Sequence, residues 1–242
     1  RWLPLSRGLG DVYKRQTLDI EMPRMDGLTF LGKLMKHYPI PVVVVSSLAK
    51  KGGDVALKAM ELGAVEVLSK PGTAYSVGDM SEQLIEKVKA ASKVRVTKRD
   101  MDNVSTQSQN ASIVAASISV RTTNKIIAIG ASTGGTEALK EVISRLPSNS
   151  PPVVVVQHMP QNFTKAFADR LNQICQVEVK EATDGEYLAT GKVLIAPGNR
   201  HMEIRRSGVN YYVTLFDGPM VFHQRPAVEI LFNSVAKYAG QN

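Results

Sequence analysis

The sequence predicts an α/β protein made of two doubly wound parallel-sheet domains joined by a flexible linker. Three observations predict it. From Asp19 onward, short β-branched runs alternate with amphipathic segments of helical period. A polar stretch at 99–124 interrupts that alternation. The length, 242 residues, exceeds one average domain of about 150 residues.

Residues 1–16 (RWLPLSRGLGDVYKRQ) keep no strand or helix period and lack the apolar core and cleavage site of a signal peptide, so they read as a cloning or assembly scar. Thr17-Leu18-Asp19 reads as the end of a strand whose beginning is missing. Gly27–Tyr38 places Leu28, Phe30-Leu31 and Leu34-Met35 on one helical face. Pro41–Val45 is a β-branched run of the kind buried on both faces of a parallel sheet. Val55–Leu62 is a helix ending at Gly63, in the C′ position that favours glycine. Ala64–Leu68 is a strand and Met80–Val96 a charged amphipathic helix. This βαβαβα run makes residues 17–98 a first, truncated domain.

Half of residues 99–124 are Ser, Thr, Asn or Gln, with no aromatic residue or proline, and such a stretch buries too little surface to offset its ordering entropy. It is expected to be a linker. The second domain, 125–242, opens with Ile126–Ile129 and Gly130–Gly135. Helix Glu137–Arg145 follows, with Leu139, Val142-Ile143 and Leu146 inward. Strand Val153–Gln157, helix Thr164–Ile174 and strands Val177–Lys180 and Val193–Ala196 come next. A hairpin-like pair, His201–Arg206 with Tyr211–Phe216, precedes helix Ala227–Tyr238. The alternation calls for a further strand after Asn242, so a chain truncated at both ends is expected.

Composition narrows the function classes. At 43% hydrophobic and 21% charged residues, wholesale disorder is excluded. No apolar run approaches the ~18–20 residues of a membrane span, so no membrane insertion is expected. The single cysteine, Cys175, excludes a disulfide framework and Cys-based zinc, and suits a reducing cytoplasm. Of the +8 net charge, residues 1–16 hold +3 (Arg1, Arg7, Lys14 and Arg15 against Asp11), and the remainder is scattered among acids. A nucleic-acid partner is therefore not expected.

Two constellations carry chemistry. In the first, Asp19 ends a strand, followed by Glu21, Met22-Pro23 and Met25-Asp26-Gly27. Ser46-Ser47 ends the next strand, and Lys70-Pro71 the one after. Carboxyl ends of parallel strands share one rim, where ligands bind. A carboxylate there can accept a phosphoryl group if a divalent cation offsets its charge, and the acyl phosphate then needs a cation and a hydrogen-bond donor, roles open to Lys70 and Ser46. Each residue singly is also an ordinary loop residue. Together, LDIEMPRMDG, VSS and SKPG resemble the receiver domain of two-component response regulators. The resemblance implies phosphorylation on Asp19, Mg²⁺ bound by Asp19 and the Glu21 backbone carbonyl, a switch hydroxyl on Ser46 and a phosphate-contacting Lys70. The family's acidic metal-binding pair belongs to a first strand not seen in this sequence. The remaining Mg²⁺ ligands are thus missing, and the chain as given is expected not to take up phosphate.

In the second, Gly130-Ala131-Ser132-Thr133-Gly134-Gly135 matches G-x-S-x-G between an apolar strand and a helix. That turn lifts a serine hydroxyl off the sheet, and free N–H groups at the helix start can bind an oxyanion. Serine needs a base, and His158, at the end of the next strand, is the candidate. Adjacent parallel strands lie ~4.8 Å apart, close enough for their end residues to meet. Competing readings are a dinucleotide-binding turn, although the spacing is G-x-x-x-G-G, and a plain loop histidine. A Walker loop would need Gly-Lys-Ser/Thr, which is absent.

IIAIGASTGGTEAL, VVVVQHMPQNFTKAFADRLN, VLIAPGNRHMEI, DGP and QRPAVEILFNSVAKYAG resemble the catalytic domain of chemotaxis protein-glutamate methylesterases, the CheB family, in receiver–linker–esterase order. The resemblance implies nucleophile Ser132, general base His158, and an oxyanion hole near Ser132 formed with Thr133 and Gly134. It places the triad aspartate beyond residue 242; Asp169, Asp184 and Asp217 lie outside the motif. His223–Pro226 reads as either an active-site edge or a turn opening the last helix. The implied reaction is hydrolysis of γ-glutamyl methyl esters on chemoreceptors, with glutamine deamidation as a related activity and no cofactor for the esterase step. Phosphorylation by a sensor histidine kinase would relieve the receiver's block, in the cytoplasm. The alternatives are a response regulator with a non-enzymatic binding output, such as DNA binding, and third a short-chain reductase.

Overall fold

A computed structural model describes residues 15–46, 52–70, 77–96, 125–161 and 163–240. The expected linker at 99–124, residues 1–14 of the expected scar, Ser47 and Pro71 lie outside the described residues. The chain divides into two units, Arg1–Asn103 and Val104–Asn242.

The first unit alternates β1 (Gln16–Asp19), α1 (Gly27–His37), β2 (Val42–Ser46), α2 (Gly52–Glu61), β3 (Glu66–Ser69) and α3 (Val77–Ala91). The strands form one parallel sheet in the order β1-β2-β3. The valines of β2 cannot expose a polar face, and Val42, Val43 and Val44 are buried. Val43, Val65, Leu68 and Ala91 form a core on which Leu84 and Val88 of α3 pack. α1 starts at Asp26, whose carboxylate accepts from Thr29 N at 3.0 Å and Thr29 Oγ1 at 2.6 Å, satisfying donors that the first helical turn leaves open. Its buried stripe is Gly27, Leu31 and Met35, narrower than the expected face, with Phe30 exposed at the edge. Gly63, after α2, takes the positive φ (105°) of a helix-ending glycine.

The second unit runs β4 (Ile127–Ala131), α4 (Gly135–Ile143), β5 (Val153–Gln157), α5 (Phe163–Asn172), β6 (Glu178–Glu181), β7 (Lys192–Ile195), the antiparallel hairpin β8 (His201–Ser207) and β9 (Asn210–Phe216), and α6 (Val228–Tyr238). Its four-stranded sheet is parallel, in the order β4-β5-β7-β6. β5 is central and buried along its whole length. Successive side chains alternate between faces. Val154, Val156, Leu194 and Ala196 meet Met202, Ile204, Val213 and Leu215 of the hairpin and Leu231 of α6. Ala131 and Gln157 point the other way, toward the start of α4. Helices therefore cover both faces, as expected of a doubly wound sheet. On α4, Leu139 and Ile143 are buried as expected, whereas Val142 faces solvent. Ser234 Oγ accepts from Ile204 N at 2.9 Å and fastens α6 to β8.

Candidate active site

Parallel pairing brings the carboxyl ends of β4 and β5 side by side, with Ala131 in register with Gln157. The next residues are Ser132 and His158, and Ser132 Oγ lies 3.2 Å from His158 Nδ1. His158 N also donates to Ala131 O at 3.2 Å, which continues the ladder one step past the strands and holds the imidazole beside the Ser132 turn. Both side chains are half-buried. Nδ1 faces the serine, so Nε2, the buried nitrogen, is where an acceptor would select the tautomer that leaves Nδ1 free to take a proton.

The turn itself is tight. Gly135 N donates to Ser132 O at 2.7 Å, and Gly134 has φ 76° and ψ −1°, the values required at the third residue of a type II turn. Glycine adopts them without a Cβ penalty. Gly134 is also the N-cap of α4 and makes no side-chain cap, so the helix start is left without a side-chain acceptor. Gly130 answers to a different constraint: a Cβ there would stand 2.9 Å from Val228 Cγ2, and closer still to Cγ1.

The loop after β7 reaches the same rim. Gly198 lies against the loop after His158, where a Cβ would come within 2.6 Å of Pro160 O. Asn199 Oδ1 accepts from Arg225 Nε at 3.0 Å and from the same guanidinium at 2.6 Å, while Arg225 donates to Gly218 O at 2.6 Å. His201 is fully buried beneath this segment, with Nε2 2.9 Å from Pro219 O and Nδ1 accepting from Ala227 N at 3.3 Å. The stretch read as either an active-site edge or a turn opens the last helix and is tied to the loop after β7. Arg225 is tied to the rim loop, and Ala227 caps α6. Just before Arg225, Val221 and Gln224 exchange backbone hydrogen bonds at 3.1 and 3.0 Å around Phe222 (φ 49°) and His223 (φ 60°). Two left-handed residues at the tip is the type I′ pattern, which normally selects Asn-Gly. Phe222 is 74% exposed there.

The three aspartates outside the motif have other work. Asp169 pairs with Lys165 at 2.9 Å, Asp184 accepts from Leu215 N at 2.7 Å, and Asp217 lies 3.4 Å from Arg200 Nε. Sequence reasoning missed Gln157. It was read only as a strand end, yet it is fully buried and its amide touches the backbone of both Ser132 and His158. A polar residue closing an all-valine strand was the available signal.

In the first unit, Asp19, Ser46 and Lys70 share one rim as expected. Asp19 pairs in register with Val45, Ser46 with Ser69, and Lys70 N donates to Ser46 O at 2.8 Å. Lys70 Nζ lies 2.6 Å from Asp19 Oδ2, and Glu21 N donates to Asp19 Oδ1 at 3.0 Å. The Lys70 bond, then the Glu21 N–H, hold the Asp19 carboxyl below its ordinary value, and the same Asp19 bond raises Lys70. Ser46 is buried. Among the described residues no three His, Cys, Asp or Glu side chains stand together as a metal site.

These features define a class: a two-unit α/β chain with a carboxylate–lysine rim in one unit and, in the other, a serine–histidine pair on a nucleophile turn. Residues 12–80 match the response regulator receiver domain and residues 127–242 match CheB methylesterase, so the chain joins a receiver domain to a CheB methylesterase domain. It is 60% identical over 226 residues to a protein of Syntrophus aciditrophicus named protein-glutamate methylesterase/protein-glutamine glutaminase 2, covering 93% of this chain and 65% of that protein. A Pectobacterium atrosepticum protein named protein-glutamate methylesterase/protein-glutamine glutaminase is 51% identical over 228 residues, covering 93% and 63%. The chain thus spans just under two thirds of these relatives. The crystal structure of the Thermotoga maritima CheB methylesterase catalytic domain is 41% identical, with a TM-score of 0.46, over 48% of this chain and 61% of that one. Among the described residues no helix is long and apolar enough to cross a membrane.

Proposed function

We propose that this chain is the receiver and catalytic part of a protein-glutamate methylesterase that removes methyl esters from glutamate side chains of chemoreceptors. The observation that supports it is the 3.2 Å approach of Ser132 Oγ to His158 Nδ1 on a G-x-S-x-G turn. In this reading His158 Nδ1 takes the serine proton as Oγ bonds to the ester carbonyl carbon. The carbonyl oxygen becomes an oxyanion held by Thr133 N–H and its neighbours at the α4 start. The C–OCH₃ bond breaks as the imidazolium returns the proton, which releases methanol and leaves an acyl-serine. Water then attacks with His158 again as base, and the glutamate and Ser132 are regenerated. A glutamine amide follows the same course with ammonia leaving, which makes deamidation a second activity of one site.

Residues 17–98 act in this proposal as the receiver, with Asp19 the phosphoacceptor for a sensor histidine kinase, Ser46 the switch hydroxyl and Lys70 the phosphate contact. Mg²⁺, where bound, offsets the charge of the phosphoryl group. Residues 99–124 are the linker, and the protein works in the cytoplasm. The test is methanol release from a methylated chemoreceptor cytoplasmic fragment. Ser132→Ala abolishes it, and His158→Ala lowers kcat about 10²–10⁴-fold with the fold intact by circular dichroism. Retained turnover in Ser132→Ala refutes the assignment.

A further inference from the structure

Gln157 ends β5 with only 1% of its surface exposed. Its Nε2 donates to Ser132 O at 3.0 Å and reaches His158 O at 3.4 Å. The Ser132 carbonyl also receives Gly135 N at 2.7 Å, so both of its lone pairs are occupied. The peptide between Ser132 and Thr133 is planar, and in a trans peptide the N–H points opposite to the C=O. Two donors gripping the carbonyl from inside the fold therefore also set the direction of Thr133 N–H on the other side. The orientation of the amide is decided by its partners, since the reversed placement would set Oε1 against two carbonyl oxygens.

We propose that Gln157 is a positioning residue for the oxyanion site, aiming Thr133 N–H by clamping the Ser132 carbonyl. This rests on the hydrolase reading and deepens it; Gln157 itself touches no substrate. Two further observations support the clamp. Gln157 Oε1 is buried with no hydrogen-bond partner among the described residues, so the amide is held there through its Nε2 end alone. The space around it is also reserved. A Cβ on Gly135 would lie 3.0 Å from Gln157 Cδ, closer still to Oε1, and 2.8 Å from Ala131 Cβ, so the last glycine of the turn leaves room for this side chain.

The experiment compares Gln157→Met, which keeps the volume but donates nothing, with Gln157→Glu, which donates only when protonated. Thermal melts establish folding, and methyl-ester hydrolysis is followed over pH. An oxyanion contact acts in the transition state alone, so Gln157→Met lowers kcat about 10–100-fold with KM unchanged, and the limb of the pH profile set by the base stays in place. In Gln157→Glu, activity relative to wild type rises as pH falls and the carboxyl gains a proton to donate. A readout without turnover is the Thr133 amide resonance in ¹⁵N–¹H spectra, which shifts in Gln157→Met. An unchanged kcat, or a loss carried by KM alone, overturns the proposal. If Gln157→Met does not fold, a flat pH ratio in Gln157→Glu overturns it equally. If the wild-type protein hydrolyses no ester, the hydrolase reading fails, and an unmoved Thr133 resonance then separately removes the clamp.

Discussion

Replacing Gly130 by alanine will drive a methyl group into the first turn of α6. The added Cβ would stand 2.9 Å from Val228 Cγ2 and closer to Cγ1, against ~3.5–4.0 Å for carbon atoms at rest, so the two elements must part by more than about 0.5 Å. Val228, the first residue of α6, is β-branched and has few χ1 rotamers to move to. Overpacking of this kind costs about 1–3 kcal/mol. Val228→Ala alone removes two partly buried methyls that pack on the hairpin core, a loss of about 1–2 kcal/mol. In the double variant the two Cγ clashes are gone and only a tight 3.2 Å Cβ–Cβ approach remains, so its cost falls toward that of Val228→Ala alone, a coupling of about 1–3 kcal/mol. Urea denaturation of the four proteins, followed by circular dichroism, measures the cycle. Gly130 lies two residues before Ser132, so ester hydrolysis should fall in Gly130→Ala and return in the double variant. Effects that add within ~0.5 kcal/mol would refute the reasoning.

Two other outcomes concern the first unit. Lys87 Nζ lies 3.2 Å from Glu66 Oε2 with the side chains 4% and 6% exposed, so Lys87→Met strips the ammonium from a buried carboxylate and costs about 3–5 kcal/mol. Pairing it with Glu66→Leu brings the urea midpoint back toward wild type; a near-normal midpoint in the single variant contradicts this. The Thr29 hydroxyl, then the Thr29 N–H, hold the Asp26 carboxyl below its ordinary 3.8. A depressed folded value means the cap stabilises α1 fully above pH 3.8 and loses that effect as pH falls through the lower folded value. Asp26→Ala therefore lowers the melting temperature at pH 7, and the gap to wild type closes in acid; a gap independent of pH would show that the cap carries no charge-dependent stability.

Much of this architecture was legible because its determinants are local. Runs such as Val42–Val45 and Val153–Val156 are too apolar for a half-exposed strand, and the helices between them carry a regular apolar stripe. The Ser132–His158 meeting was legible too, since β4 and β5 are consecutive strands and consecutive strands of a βαβ unit tend to be neighbours. The exchange that puts β7 between β5 and β6 was not, because nothing local distinguishes which edge a strand will join. Phe30 and Val142 read as inward from period alone, yet the neighbouring elements leave them in solvent. Gln157 was hidden for a related reason. Its value lies in reaching a carbonyl 25 residues away in the chain, and composition records no such distance.

Phe222 and His223 sit where Asn-Gly would rest without strain, and natural sequences tend to hold stability only above a threshold. A variant library sorted for heat resistance alone will rewrite that hairpin tip to Asn-Gly within a few rounds. The exposed tip is thus a place where heat tolerance can be gained without touching the sheet or its core.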